Sequence, residues 1–310
     1  MKPRLEGSLG VVAFAGLLSA CGAPAAMPAT LSPAAGDTAM RSVPAARSRE
    51  FVFTCQNGTV FDCLIYTEHG KLLRTLTTGV ESPLGVAAGR DGLLYVANEF
   101  ADNVLVYSVG GRSLLHELDN GGNAPIDVAV FHDEVAVANE HNVTVFKPGA
   151  TKPTRTLNDP NVLQGSGVAF DAKGNCYWSM STETSTVQVD EFVGCKGSPT
   201  VLNVRPGSPY GIAFDSSGNL YYASYSSSAD GVYRCSGTSA CKLVYTQFVD
   251  PEYLNFSGDF KDLWLNDPGS SNGSAIDEVD VKTGKTIETI TNGLSFFNPP
   301  SGVAVAPGPF

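Results

Sequence analysis

One pattern returns six times along this chain: Pro or Gly, a free position, a third position that is Gly in four of the six, and then an apolar residue followed by Ala in five of the six. It reads Pro83-Leu84-Gly85-Val86-Ala87, Pro125-Ile126-Asp127-Val128-Ala129, Gly165-Ser166-Gly167-Val168-Ala169, Pro209-Tyr210-Gly211-Ile212-Ala213, Pro251-Glu252-Tyr253-Leu254-Asn255 and Pro300-Ser301-Gly302-Val303-Ala304. The third positions, 85, 127, 167, 211, 253 and 302, are separated by steps of 42, 40, 44, 42 and 49 residues. A repeat of that length is one supersecondary unit that cannot bury its apolar surface alone, so each copy must stack on its neighbours.

The order of strands inside a unit is readable. The opening strand ends in turns such as Asp171-Ala172-Lys173-Gly174-Asn175 and Asp215-Ser216-Ser217-Gly218-Asn219, where Asp can accept backbone N–H groups and Gly tolerates positive φ. Second strands rich in aromatic and β-branched residues follow, as in Leu93 to Ala97 and Leu220 to Ala223. Third strands include Val104 to Tyr107, Val143 to Phe146 and Val187 to Val189, and outer strands include Ser113 to Leu118 and Thr286 to Ile290. Phe51 to Cys55, Cys63 to Tyr66 and Lys71 to Leu76 read as second, third and fourth strands with no opening strand, whereas the last repeat is an opening strand alone. Joined, the two ends make one more unit and remove two open sheet edges. The expectation is an all-β, six-bladed β-propeller of four-stranded blades spanning 51–310, at about 43 residues per blade.

The Pro-x-Gly-Val-Ala, Asp-x-x-Gly-Asn and Leu94-Tyr95-Val96-Ala97-Asn98 elements together resemble the NHL-repeat class of six-bladed propellers. That resemblance implies architecture and leaves activity open, because one fold of this kind serves binding modules, sensors and enzymes.

The first residues read as an address. Lys2 and Arg4 precede an apolar stretch, Val11 to Leu18, too short to cross a bilayer as a helix, and Leu18-Ser19-Ala20-Cys21 follows. This resembles a bacterial lipoprotein signal. The resemblance implies removal of residues 1–20, acylation of Cys21, lasting membrane attachment through several acyl chains, and an outer-membrane destination in a cell that has one. Residues 21–50 are rich in Ala, Pro and Ser and read as a flexible tether. Six cysteines remain after Cys21, an even number suited to an oxidising compartment. Their spacing favours Cys55 with Cys63, Cys176 with Cys195 and Cys235 with Cys241, and no C-x-x-C pair suggests a zinc site.

Charge narrows the partners. The chain carries 31 acidic and 20 basic side chains, a net −11, of which the part after residue 50 holds −13. Nucleic acid, which demands clustered Lys and Arg, is excluded. In a propeller the loops from second to third strands and from one blade to the next meet on one face, called the mouth below. There the sequence places Asn98, Glu99, Asn139, Glu140, Ser181 to Glu183, Ser224, Tyr225, Asn266 and Asp267, with Glu81, Asn123, Gln164 and Asn298 from the loops between blades. Such oxygens could bind calcium or magnesium, or hydrogen-bond a saccharide or peptide, and equally they could only start turns. Glu81-Ser82-Pro83 resembles the metal-binding Glu-Gly-Pro of gluconolactonase- and regucalcin-like propellers, but the Asp expected in a later Pro-Asp-Gly is Tyr210 here. The leading expectation is a monomeric, membrane-anchored, non-enzymatic binding module. The alternative is a metal-dependent, lactonase-like hydrolase using Glu81 with Asn98, Asn139 and Asn266 or Asp267, and a third is a purely structural envelope protein.

Overall fold

A computed structural model describes residues 50–110, 113–184, 186–202, 204–224, 230–269 and 273–307. The signal, Cys21 and most of the tether therefore lie outside the described residues, as does Tyr225. The chain forms six four-stranded antiparallel sheets. The first blade contains β1 (Glu50–Asn57), β2 (Phe61–Thr67) and β3 (Leu72–Leu76). Then come β4 (Pro83–Ala88), β5 (Leu93–Asn98), β6 (Asn103–Ser108) and β7 (Leu114–Asp119) in the second, and β8 (Pro125–Phe131), β9 (Glu134–Asn139), β10 (Val143–Phe146) and β11 (Arg155–Leu157) in the third. The fourth has β12 (Val162–Phe170), β13 (Cys176–Thr182), β14 (Val187–Phe192) and β15 (Thr200–Leu202). The fifth has β16 (Pro209–Phe214), β17 (Leu220–Ser224), β18 (Gly231–Ser236) and β19 (Ser239–Tyr245), and the sixth β20 (Leu254–Phe256), β21 (Asp262–Asp267), β22 (Ala275–Asp280) and β23 (Thr286–Ile290).

The last strand, β24 (Pro300–Pro307), pairs with β1 and supplies the first blade with its innermost strand. The ring thus closes through both ends of the propeller, and Thr54 Oγ1 donates to the Gly302 carbonyl at 2.7 Å across that joint. The opening strand of the sixth blade, expected from Pro251, is regular only from Leu254. Around Tyr253 the backbone bonds instead to Asn266, through Glu252 N–H to Asn266 O at 3.3 Å and Asn266 N–H to Tyr253 O at 3.2 Å.

The core consists of six apolar wedges between neighbouring blades. Alternation along a strand feeds both flanking wedges: Leu94 and Val96 of β5 enter the wedge shared with the first blade, Tyr95 and Ala97 the wedge shared with the third. Both faces of each inner sheet are buried, which is why these strands read as nearly continuous apolar runs. Trp178 and Trp264 fill the third–fourth and sixth–first wedges. Truncating a side chain such as the fully buried Leu94 to Ala would cost about 2–5 kcal/mol.

Turn chemistry follows the sequence. Asp171 Oδ1 accepts from Lys173 N–H at 2.8 Å and Asn175 N–H at 2.9 Å, and Asn175 Oδ1 accepts Gly194 N–H at 2.8 Å, tying the first hairpin of the blade to its outer one. Asp215 and Asn219 repeat the arrangement. The disulfides Cys55–Cys63, Cys176–Cys195 and Cys235–Cys241 each lie within one blade.

Candidate functional site

The mouth is built from loops whose polar side chains hold one another. Asn98 Oδ1 accepts Glu81 N–H at 2.6 Å, while its Nδ2 donates to Gly79 O at 3.1 Å and Asn103 Oδ1 at 2.8 Å. Asn139 Oδ1 accepts from Asn120 Nδ2 at 2.6 Å, and its Nδ2 donates to Asn142 Oδ1 at 2.8 Å. Asn266 Oδ1 accepts Tyr253 N–H at 2.6 Å and its Nδ2 donates to Pro300 O at 2.9 Å. All three asparagines are buried, each ends a second strand, and Asn98 and Asn266 fasten the chain entering an inner strand. Ser224 ends β17 and does the same for its blade, accepting Ser208 N–H at 2.9 Å.

The acids on this face divide. Asp267 is buried and accepts Asp250 N–H at 2.9 Å and Val249 N–H at 3.2 Å, so it organises the loop entering the sixth blade. Glu140 is exposed, 3.8 Å from an equally exposed His141. Glu81 and Glu99 are neighbours on the second blade, and Glu99 Oε2 accepts from the buried Ser82 Oγ at 2.9 Å. Ser82 holds φ 54°, the left-handed region that glycine tolerates best. Asn123 accepts from Asn142 Nδ2, Gln164 offers its carbonyl to Ser181 Oγ, Thr182 is buried, and Glu183 is exposed. The predicted mouth residues thus sit on one face but are spread around it. Among the described residues no group of three or more His, Cys, Asp or Glu is gathered to hold a metal ion. Of the donors proposed for calcium or magnesium, Asn98, Asn139 and Asn266 already accept hydrogen bonds through their side-chain oxygens.

Sequence reasoning missed what lies on the axis. The third positions of the repeat come together as a tight ring: a Cβ on Gly211 would stand 2.7 Å from Tyr253 Cα, and one on Gly302 would stand 2.9 Å from Gly85 Cα. The two side chains of the ring, Asp127 and Tyr253, fill its middle. Tyr253 Oη reaches the Ile126 carbonyl at 3.4 Å, from the sixth blade to the third, and its ring packs edge-to-face on Tyr210 with centroids 5.3 Å apart. Asp127 Oδ2 accepts Val168 N–H at 2.9 Å. Burial pushes the Asp127 carboxyl up to about 7, and burial together with the Asp250 charge does the same for Glu252 beside it. The Tyr210 hydroxyl is pushed to about 12 by burial and the Glu252 charge.

Beyond this plug, on the opposite face, the inner strands enclose a cavity of about 740 Å³. Its walls include Phe131, Phe170, Phe214 and Phe256, with Arg90 and His132 from first-to-second-strand turns. On the mouth face, four phenylalanines stand outside any wedge. Phe61 belongs to the end of the β1–β2 hairpin, Phe100 to the short 3-10 turn Glu99–Ala101, and Phe296 and Phe297 to the loop from β23 to β24. The signal for them lay in the sequence: large apolar residues inside Gly/Asn/Pro turns, where no strand period can bury them.

No family model and no curated protein sequence matches the chain. Among solved structures, a chain in the crystal structure of a nidogen/laminin complex matches with a TM-score of 0.66 at 16% identity, over 83% of this chain and 98% of that one. At that identity the likeness is one of fold. The protein is a six-bladed β-propeller with disulfide-stapled blades.

Proposed function

We propose that this chain is an exported, lipid-anchored lipoprotein whose propeller is a non-enzymatic binding module, held to the membrane by Cys21 and its tether and meeting its partner with the mouth face. One observation carries the assignment of the face. Its asparagines Asn98, Asn139 and Asn266 are consumed by hydrogen bonds within the loops, while Phe100, Phe296 and Phe297 stand 70%, 80% and 70% exposed on the same face. A small-ligand or metal site needs convergent free polar atoms, whereas a docking surface needs exposed apolar area on a rigid support. A structure of the same fold solved within a nidogen/laminin complex is in keeping with a partner-binding role. The hydrolase alternative asks Asn98, Asn139 and Asn266 to serve as ligands, and their side chains are already engaged in clamping the loops.

The anchor and the binding face are separable by experiment. Cys21→Ser should move the protein out of the lipid-extractable membrane fraction, and retention there as an integral component would overturn the anchor. In that background, remaining association with the envelope should be lost on adding Phe100→Ser and Phe297→Ser. Association unaffected by those changes would overturn the face.

A further inference from the structure

The exposed phenylalanines stand as two pairs on loops that are bonded to one another. Phe61 and Phe100, on adjacent blades, meet edge-to-face at 6.4 Å, and Phe296 and Phe297 do so at 5.8 Å. The two pairs share a scaffold: Thr59 N–H donates to Phe297 O at 3.0 Å, Asn298 Oδ1 accepts from Val60 N–H at 2.9 Å, and Gln56 Nε2 reaches Gly293 O at 2.8 Å. Val60 at 44% exposed and Phe61 at 38% complete the patch on the hairpin. Five large apolar side chains held in solvent by loops that are themselves well bonded are not a packing residue of the fold.

The charge of the same loops is one-sided. Residues 57–61, 77–82, 98–102 and 291–299 contain Glu81, Glu99 and Asp102 and no Lys, Arg or His. Glu81 is exposed, and Glu99 is held on the rim by Ser82. Aromatic faces flanked by carboxylates complement a cationic side chain twice, through ion pairing and through the ring quadrupole, and Arg suits both.

We propose that this patch docks a segment of a partner protein that presents an apolar side chain flanked by Arg or Lys. The inference rests on the mouth-face binding reading and adds the chemistry of the partner. A bilayer surface is the other candidate for exposed phenylalanines, but anionic headgroups would meet three carboxylates on the loops and a domain of net −13.

The test uses the full chain carrying Cys21→Ser, so that no acyl chain competes. The probes are short synthetic peptides with a Trp or Leu centre flanked by Arg, by Glu or by Ser, Arg-flanked peptides with a Ser centre, and vesicles of phosphatidylglycerol and phosphatidylcholine. Arg-flanked apolar peptides are expected to bind most tightly, to weaken with salt, and to lose about tenfold or more in affinity in Phe100→Ser/Phe297→Ser and in Glu81→Gln/Glu99→Gln. Equal binding of Glu- or Ser-flanked peptides, still lost in the phenylalanine variant, would overturn the partner chemistry while leaving the binding face in place. Peptide binding indifferent to the phenylalanines but lost in Arg90→Glu would overturn the face itself. Vesicle binding without peptide binding, or no binding of any probe, would overturn the proposal. Phe100 and Phe297 lie outside the wedges, so an unchanged unfolding midpoint serves as the folding control.

Discussion

The Tyr253 hydroxyl lies 3.4 Å from the Ile126 carbonyl, although the two residues belong to blades on opposite sides of the ring. One side chain therefore reaches across the axis, and its ring packs on Tyr210 while Tyr253 and Asp127 line the inner end of the cavity on the other face. The mouth carries the exposed phenylalanines, and the cavity lies on the other face.

Tyr253→Ala should cost about 3–5 kcal/mol, because a 4% exposed aromatic ring at the centre of the ring of blades is replaced by a void. Tyr253→Phe, which keeps the ring and gives up one long hydrogen bond, should cost about 1 kcal/mol or less. Urea unfolding of the two variants checks this, and equal losses would show that the hydroxyl and not the ring does the bridging.

Stability should fall as pH rises from about 4 to about 8. Burial pushes Asp127 and Glu252 up to about 7, and burial together with the neighbouring Asp159 carboxylate pushes Asp190 up to about 8. In that window the folded chain holds protons that the unfolded chain has lost, so each such group contributes a slope of up to about 1.4 kcal/mol per pH unit against folding. Asp127→Asn should flatten the dependence, since Asn Oδ1 still accepts the Val168 N–H. Parallel curves for the variant and the parent would remove Asp127 from the explanation.

Replacing Asn98, Asn139 or Asn266 by Ala should each cost about 1–3 kcal/mol, because a buried N–H or carbonyl loses its partner. The urea midpoint should drop with little change in slope. Adding calcium to the unsubstituted chain should leave the thermal midpoint where it is. A calcium-dependent rise that vanished in Asn139→Ala would instead make these residues ligands.

The fold was legible because its repeat is carried by backbone necessities. The third position of Pro-x-Gly-Val-Ala must let neighbouring inner strands nearly touch, and the Asp and Asn of Asp171 to Asn175 must bond two hairpins, so both recur at the blade period. The same regularity says less about a site. Asn98, Asn139 and Asn266 recur because a loop clamp is needed in several blades, and a recurring polar residue looks like a convergent ligand set until its hydrogen bonds are known. The axial plug was hidden in the two exceptions, Asp127 and Tyr253, which occupy ring positions filled elsewhere by glycine. Phe100, Phe296 and Phe297 went unread because no strand period marks a loop, and their signal in the sequence was only that of large apolar residues set among turn-forming Gly, Asn and Pro.

Ending the chain before Pro300 should abolish cooperative unfolding. Without β24, the first blade loses its innermost strand, Thr54 loses the Gly302 carbonyl, and the sixth–first wedge loses Val303 and Val305. Circular dichroism through a urea titration would show it, and a truncated chain with the parent's sharp transition would contradict closure through the two ends.

The most direct test of the binding face is site-specific photocrosslinking in intact cells, with the crosslinking residue placed at Phe100, at Phe297 or at Arg90 on the cavity side. Discrete adducts with a partner protein from Phe100 and Phe297, and none from Arg90, are the expected result. Adducts from Arg90 with none from the two phenylalanine positions would contradict the mouth-face assignment and move the function to the cavity.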